Sequence, residues 1–436
     1  MSAPDGTWRL LSGWAETGRV ETYAEHATRF GPLPLRAYAG LEGKRQLVST
    51  VEVAGLRGRG GAAFPTARKL ATVAAARGRS VVVGNGCEGE PSSRKDLVLA
   101  EYAPHLVVDG ALLAAYVTGA DQVHLCMHGG SPMLEPMARA AAEHRSKVRV
   151  HVVGVPGGFV ASEESALVNY LNNGDARPTS KPPRVFERGV AGRPTFVGNF
   201  ETLAQLALVA RFGSDWYRSL GTHLSPGTAL ITVDGAVRRP GVVEVPYGST
   251  LGEVLDCGGG PSEPLQALLV GGYAGHWLPF DTAADVPLTH EHLAVAGASV
   301  GVGSVIALPA SACGVAETAH VLRYLAGESA AQCGPCIFGL PAVAGDFASL
   351  ATGSAVRDAL VLRRLERRLG EVAGRGACAH PDGAVRLAES ALVAFADDVR
   401  QHLAGRPCSF AGVGPRLPLL QPRQPGQPEY SVRAAR

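Results

Sequence analysis

A chain of 436 residues is too long for one ordinary core and points to two or three domains. It is 46% hydrophobic and 18% charged, with a net charge of +2 and dispersed arginines, so no nucleic-acid footprint is present. Met1–Trp14 lacks a basic stretch followed by an apolar run, which reads as no secretory signal and sets the expectation of a cytosolic (cytoplasmic) protein. In that setting eight cysteines point to metal or redox chemistry rather than to a disulfide framework.

The first chemical feature is Gly55-Leu-Arg-Gly-Arg-Gly-Gly-Ala-Ala-Phe-Pro-Thr-Ala-Arg-Lys69. Closely spaced glycines let backbone amides approach an anion, and Arg57, Arg59 and Lys69 add charge that suits a phosphate. Ser80–Gly84 predicts a strand that ends in a polar loop from Asn85. Leu97–Gly119 predicts helix, its main part opening at Pro104. Gln122–Met127 predicts a strand, Glu135–Arg145 a helix and Val148–Val155 a further strand. This alternation predicts a parallel α/β sheet, with ligands at the carboxyl ends of its strands and so at the loop Asn85–Asp96.

From Ala229 the pattern changes to two strands about a turn at Ala236–Gly241, then a short helix opening at Ser249. Leu293–Ala316 carries no charge and is long enough to span a bilayer, but its Gly, Ser and Ala content and Pro309 favour a buried strand, Val300–Leu308, running into a helix. The chain is helical from Ala316, with Cys333 and Cys336 between helices and a helix Ala384–Leu403 after Cys378. The tail beyond Cys408 is rich in Pro, Gln and Arg and is expected to be loose. Cys126 reads as core, and Cys257 and Cys313 have no visible partner.

Five motifs follow one another in a telling order: the Gly55–Lys69 loop, Asn85-Gly-Cys-Glu-Gly-Glu-Pro-Ser-Ser-Arg-Lys-Asp96, Gly158-Phe-Val-Ala-Ser-Glu-Glu-Ser-Ala-Leu167, Lys181-Pro-Pro with Gly192-Arg-Pro-Thr195, and Asn199-Phe-Glu-Thr-Leu203. Together they resemble the flavin-bearing, NADH-binding subunit of respiratory complex I and its hydrogenase and formate dehydrogenase relatives. The resemblance implies an α/β fold: a Rossmann-like parallel-sheet flavin domain over 1–225, a β-grasp module of the soluble-ligand-binding type over 226–310, a C-terminal helical bundle of iron–sulfur type over 311–410 and a flexible tail over 411–436. It implies FMN, with Gly58, Gly60, Gly61 and Lys69 on the phosphate and nucleotide side. Asn85, Glu88, Glu163, Glu164, Asn199 and Thr202 would then hydrogen-bond the flavin, while Phe64, Glu90 and Lys181 would meet the nicotinamide nucleotide. Acidic residues at a helix start also suit the helix dipole, which is the plainer reading of Glu163 and Glu164.

The resemblance further implies a [4Fe–4S] cluster on four cysteines. Cys333, Cys336 and Cys378 match three of them, and Ala330 stands where the first should be. His380 or Cys408 is a substitute ligand, zinc on the same residues is an alternative, and a vestigial site without metal is a third outcome. Cys87 replaces the family's aspartate, and Thr72 and Arg184 replace aromatics that clamp the adenine. Arg184 could instead face a 2′-phosphate, so NADH and NADPH both stay open. The function implied is electron transfer between NAD(P)H, or a reduced carrier, and a ferredoxin-like or [2Fe–2S] partner, with no nucleic acid and no membrane span. The rival is a non-catalytic scaffold of the same fold.

Overall fold

The computed structural model describes residues 8–354 and 360–417. Strands β1 (Val81–Asn85), β2 (Gln122–His128), β3 (Arg149–Val155) and β4 (Thr195–Asn199) form a parallel sheet in the order β3-β2-β1-β4. Val81, Val82 and Val83 are all fully buried, as a parallel strand covered on both faces requires. The helices Pro104–Thr118 and Phe200–Arg218 pack on each other at Gly110, where a Cβ would stand 1.8 Å from the Leu203 carbonyl oxygen. From β1 the chain builds outward through β2 and β3, then returns to lay β4 on the other side of β1. That reversal opens a crevice at the carboxyl ends of β1 and β4, the usual ligand position in such sheets. Register pairs Asn85 with Asn199 at that edge.

The second sheet holds β5 (Thr228–Gly235), β6 (Gly241–Pro246), β7 (Leu265–Val270), β8 (His276–Pro279) and β9 (Ser304–Pro309) in the order β6-β5-β9-β7-β8. Only β5 and β9 pair in parallel, the β-grasp arrangement expected of this region. Leu268, Val270, Val305 and Ala307 face this module's own short helices, whereas Ala267, Leu269, Ile306 and Leu308 face the C-terminal helices. The uncharged stretch around β9 is therefore a strand buried on both faces, as its composition predicted. No single helix among the described residues is long and apolar enough to cross a membrane.

The C-terminal helices are Gly314–Gly327, Leu340–Ala351, Val361–Val372, His380–Ala394 and Ala396–Leu403. The last two were expected as one helix. They part at Phe395, whose buried ring packs against Trp277 with centroids 5.2 Å apart. The segment expected to be loose first docks: Arg416 and Leu417 donate their amides to Glu317. The rest of that expectation, 418–436, lies outside the described residues.

Buried carboxylates tie these parts together. Glu244 on β6 accepts the amides of Arg9, Leu10 and Leu11 and the hydroxyl of Thr228. Burial pushes its carboxyl up to about 7 against those hydrogen bonds.

Candidate functional site

The crevice is built from the ends of β1 and β4. Asn199 caps the helix Phe200–Arg218, its Oδ1 accepting the Glu201 amide and a proton of Lys95 Nζ at 2.9 Å. Its Nδ2 donates to Asp96 at 2.6 Å and to the Asn85 carbonyl at 3.3 Å. Asn85 donates to the Ser162 carbonyl at 2.8 Å, joining the sheet edge to the paired-glutamate loop. Lys95 is almost fully buried and also bonds Asp96 and approaches Glu201 at 3.3 Å. Its charge is thus met by carboxylates where an isolated ammonium would be costly.

Glu163 caps the helix Glu164–Asn173 through the amides of Ser165 and Ala166, and its other oxygen lies 2.7 Å from Lys181 Nζ. Glu164 pairs with Lys69 at 3.2 Å, and Lys69 also donates to the Val197 carbonyl on β4. Two Glu–Lys pairs, each partly open to solvent, therefore flank the crevice. The capping that composition alone suggested for Glu163 and the lysine pairing coexist, because each uses a different oxygen.

The glycine loop folds back on itself, with the Gly58 amide donating to the Phe64 carbonyl. Gly61 has φ +103°, and a Cβ there would meet nothing closer than 3.9 Å, so backbone conformation rather than space asks for glycine. Gly58, Arg59, Gly61, Lys95, Glu201, Gly301 and Gly303 line a narrow cleft between this loop and the β-grasp module. Arg59 is buried: it donates to the Tyr217 hydroxyl and the Thr228 carbonyl, while its Nη1 lacks a hydrogen-bond partner among the described residues. Glu201, 3.8 Å from Arg59 Nε, partly meets the charge, but an unfilled Nη1 donor beside a Cβ-free loop suits an anionic phosphate group such as that of FMN. Phe64, within the loop, is 45% exposed, and Thr72 and Arg184 are also exposed.

Three expected contact residues are engaged elsewhere. The Glu88 carboxylate accepts the amides of Asp96 and Leu97 and the Ser93 hydroxyl, capping the helix Lys95–Tyr102. Burial and the neighbouring Asp96 push it up to about 7. Glu90 turns toward the β-grasp module, accepting the Tyr273 amide at 3.0 Å and the Ser92 amide and hydroxyl; burial pushes it up to about 7. Thr202 is buried and accepts the Arg59 amide at 2.8 Å, so it anchors the glycine loop. Lys95 and Glu201 are the residues that sequence reasoning missed; Glu201 joins the site to β5 by accepting the Leu230 amide.

At the cysteine end, Cys336 lies in the irregular turn Pro335–Gly339 that opens the next helix. Burial, then the adjacent Cys333, push its thiol up to about 12. Burial also opposes ionisation of Cys333, but the amides of Ala377 and Cys336 outweigh it and lower that thiol. Cys378 is raised by burial, and the charges of Glu163, Cys333 and Lys181 all bear on it, which sets it between the flavin crevice and the other two cysteines. Glu328, next to the Ser329-Ala330 pair, accepts the Phe159 amide at 2.9 Å and so links the two regions directly. Cys333 and Cys378 accept backbone amides, as the sulfurs of iron–sulfur clusters do, and the methyl of Ala330 offers no ligand. His380 Nε2 donates to the Leu325 carbonyl at 2.8 Å and packs on Phe159, while Cys408 gathers with Cys313 and His402, away from the substitute-ligand role foreseen for it.

Residues 51–208 match the Nuo51 FMN-binding domain, 230–272 an SLBB domain and 316–402 the NADH-ubiquinone oxidoreductase-F iron-sulfur binding region. The NADH-quinone oxidoreductase F subunit 2 of Rhizobium meliloti is 30% identical over 94% of this chain and 98% of its own length. The corresponding F subunit of Mycobacterium bovis is 31% identical over 84% of this chain and 86% of its own. Among solved structures, a chain of an NAD⁺-reducing [NiFe]-hydrogenase in the H₂-reduced state superposes with TM-score 0.79 at 31% identity. That match covers 92% of this chain and 66% of the hydrogenase chain. On this sequence and fold evidence the chain belongs to the family of NADH-quinone oxidoreductase F subunits, flavin oxidoreductases of the NADH dehydrogenase type with FMN-binding and 4Fe-4S binding regions.

Proposed function

We propose that this chain passes electrons between NAD(P)H, or a reduced carrier, and a [2Fe–2S] or ferredoxin-like partner in the cytoplasm. The observation that carries this reading is the pairing of Asn85 with Asn199 at the β1/β4 crevice, beneath the glycine loop and between two Glu–Lys pairs. In this reading Gly58, Gly60, Gly61 and Arg59 hold the phosphate of FMN. Asn85, Asn199, Glu163 and Glu164 meet its ribityl chain and ring edge, and Lys69 fixes Glu164. Phe64 and Lys181 face the nicotinamide nucleotide. Glu88 and Thr202 are positioning residues, and Glu90 acts through the Tyr273 loop. Bound FMN supplies two-electron acceptance with one-electron release, which a nicotinamide cannot.

Cys333, Cys336 and Cys378 hold a cluster with one iron left for a non-cysteine ligand. Exposed Ile337 and Phe338 beside Cys336 favour this end for the partner. The division into 1–225, 226–310, 311–410 and 411–436 belongs to the same reading, as flavin, β-grasp, cluster and tail units. The test is reconstitution of the full chain with FMN under anaerobic conditions, desalting, then addition of NADH or NADPH while flavin absorbance is followed. Stoichiometric FMN that bleaches with one nucleotide is expected. A chain that retains no flavin sinks the proposal.

A further inference from the structure

Cys313, His402 and Cys408 are far apart in sequence, yet their ligand atoms all lie within 4.8 Å of one another. Cys313 ends the connection from β9, and its Sγ caps the helix Gly314–Gly327 by accepting the Ala316 amide at 3.4 Å. His402 lies in the last turn of Ala396–Leu403 and is fully buried. Its Nδ1 donates to the Leu350 carbonyl at 3.0 Å, which fixes the neutral tautomer with the lone pair on Nε2. That lone pair accepts the Cys408 amide at 3.1 Å, and Nε2 lies 3.8 Å from Cys313 Sγ. An imidazole held by a backbone carbonyl through one nitrogen, with the other within 4.8 Å of two sulfurs, is the arrangement metal-binding histidines use.

We propose that Cys313, His402 and Cys408 form a mononuclear site for a borderline-soft divalent cation of the Zn²⁺ class, separate from the three-cysteine site. Standard Zn–S and Zn–N bonds at tetrahedral angles put S and N about 3.6 Å apart, close to the separation found here. Two thiolates and one imidazole select Zn²⁺ over Mg²⁺ or Ca²⁺. On binding, both thiol protons pass to solvent, two S–metal bonds and one N–metal bond form, and the Cys408 amide gives up the imidazole lone pair. The ion with two thiolates is neutral, which a buried position tolerates. The fourth position is left to water. The site would clasp the segment after His402 to the junction between the β-grasp sheet and the helical end.

The full chain, purified anaerobically with reductant and without added iron, is titrated with Zn²⁺ and, separately, Co²⁺. One Zn²⁺ per chain surviving desalting is expected, with the intense visible bands of tetrahedral thiolate-bound Co²⁺. Both signals should persist when Cys333, Cys336 and Cys378 are all replaced by Ser. Cys408→Ser and His402→Gln should each weaken Zn²⁺ binding at least about tenfold. Wild-type protein with no such Co²⁺ spectrum overturns the proposal even if the variants fold poorly. So does zinc that vanishes with the triple replacement, or a Cys313–Cys408 disulfide in the protein as isolated.

Discussion

The flavin crevice and the cysteine end differ in how they gather their residues. In the crevice Asn85 and Asn199 lie at strand ends and Glu163 and Glu164 at a helix start, so topology alone delivers them to one place. At the cysteine end nothing as rigid as a sheet enforces position: Cys333, Cys336 and Cys378 lie in connections between helices, and one substitution, Ala330, removes a corner. The lesson is that a site assembled on strand ends keeps its geometry when single contact residues change, as Cys87 has. A site assembled on loops depends on each ligand.

Replacing one cysteine tests that contrast most severely. Cys378→Ser should abolish any cluster, whereas Ala330→Cys should raise iron retention, both read by iron and acid-labile sulfide after anaerobic reconstitution. No iron in the wild type together with a cluster in Ala330→Cys would show that the cysteine end has lost its metal and the crevice alone is redox-active. In the crevice the corresponding break is Gly61→Val. At φ +103° a β-branched residue carries strain of roughly 1–3 kcal/mol, so FMN affinity should fall roughly 5- to 150-fold by fluorescence titration. An unchanged Kd would mean the glycine loop does not cradle the cofactor.

The seam between the flavin domain and the β-grasp module is read by pH. Glu244 ionises near 7 in the folded chain instead of its ordinary 4.5, so the folded state holds a proton that the unfolded state releases. Its contribution is complete below about 4.5 and is lost as pH rises to about 7. The thermal midpoint should fall across that window, and Glu244→Gln should flatten the fall; a midpoint that rises instead contradicts the assignment. The smallest effect concerns specificity. Thr72→Phe with Arg184→Phe should tighten NADH binding by roughly 0.5–1.5 kcal/mol per restored stack. Tight NADH binding by the wild type would show that the exposed Phe64 suffices.

Strand β1 and the helix at Pro104 were legible because an unbroken valine run and a proline at a first turn are local signals, and β2 and β3 because short apolar-rich runs alternate with helical patterns. The β5–β6 hairpin was legible from its turn. The break at Phe395 was not, because it is set by Trp277, more than a hundred positions away. The same holds for side-chain direction: Glu88 and Glu90 sit in the expected loop, but helix amides and the Tyr273 loop claim their carboxylates. Cys313 had no partner visible in sequence because His402 is 89 positions downstream. The one hint was a buried-strand composition leading directly into that cysteine.

The clasp of Arg9, Leu10 and Leu11 on Glu244 spans more than 230 positions, and this bears on how the chain is made. Synthesis runs from the N-terminus, so the first turn of the protein emerges long before its acceptor exists. Until β6 leaves the ribosome, three amides at the start of the chain have no carboxylate to receive them, and Arg59 waits likewise for the Thr228 carbonyl. A fragment cut at residue 225 carries the FMN motifs but neither acceptor. The flavin unit is thus finished by the module that follows it, and recombinant expression should preserve at least residues 8–246 in one piece.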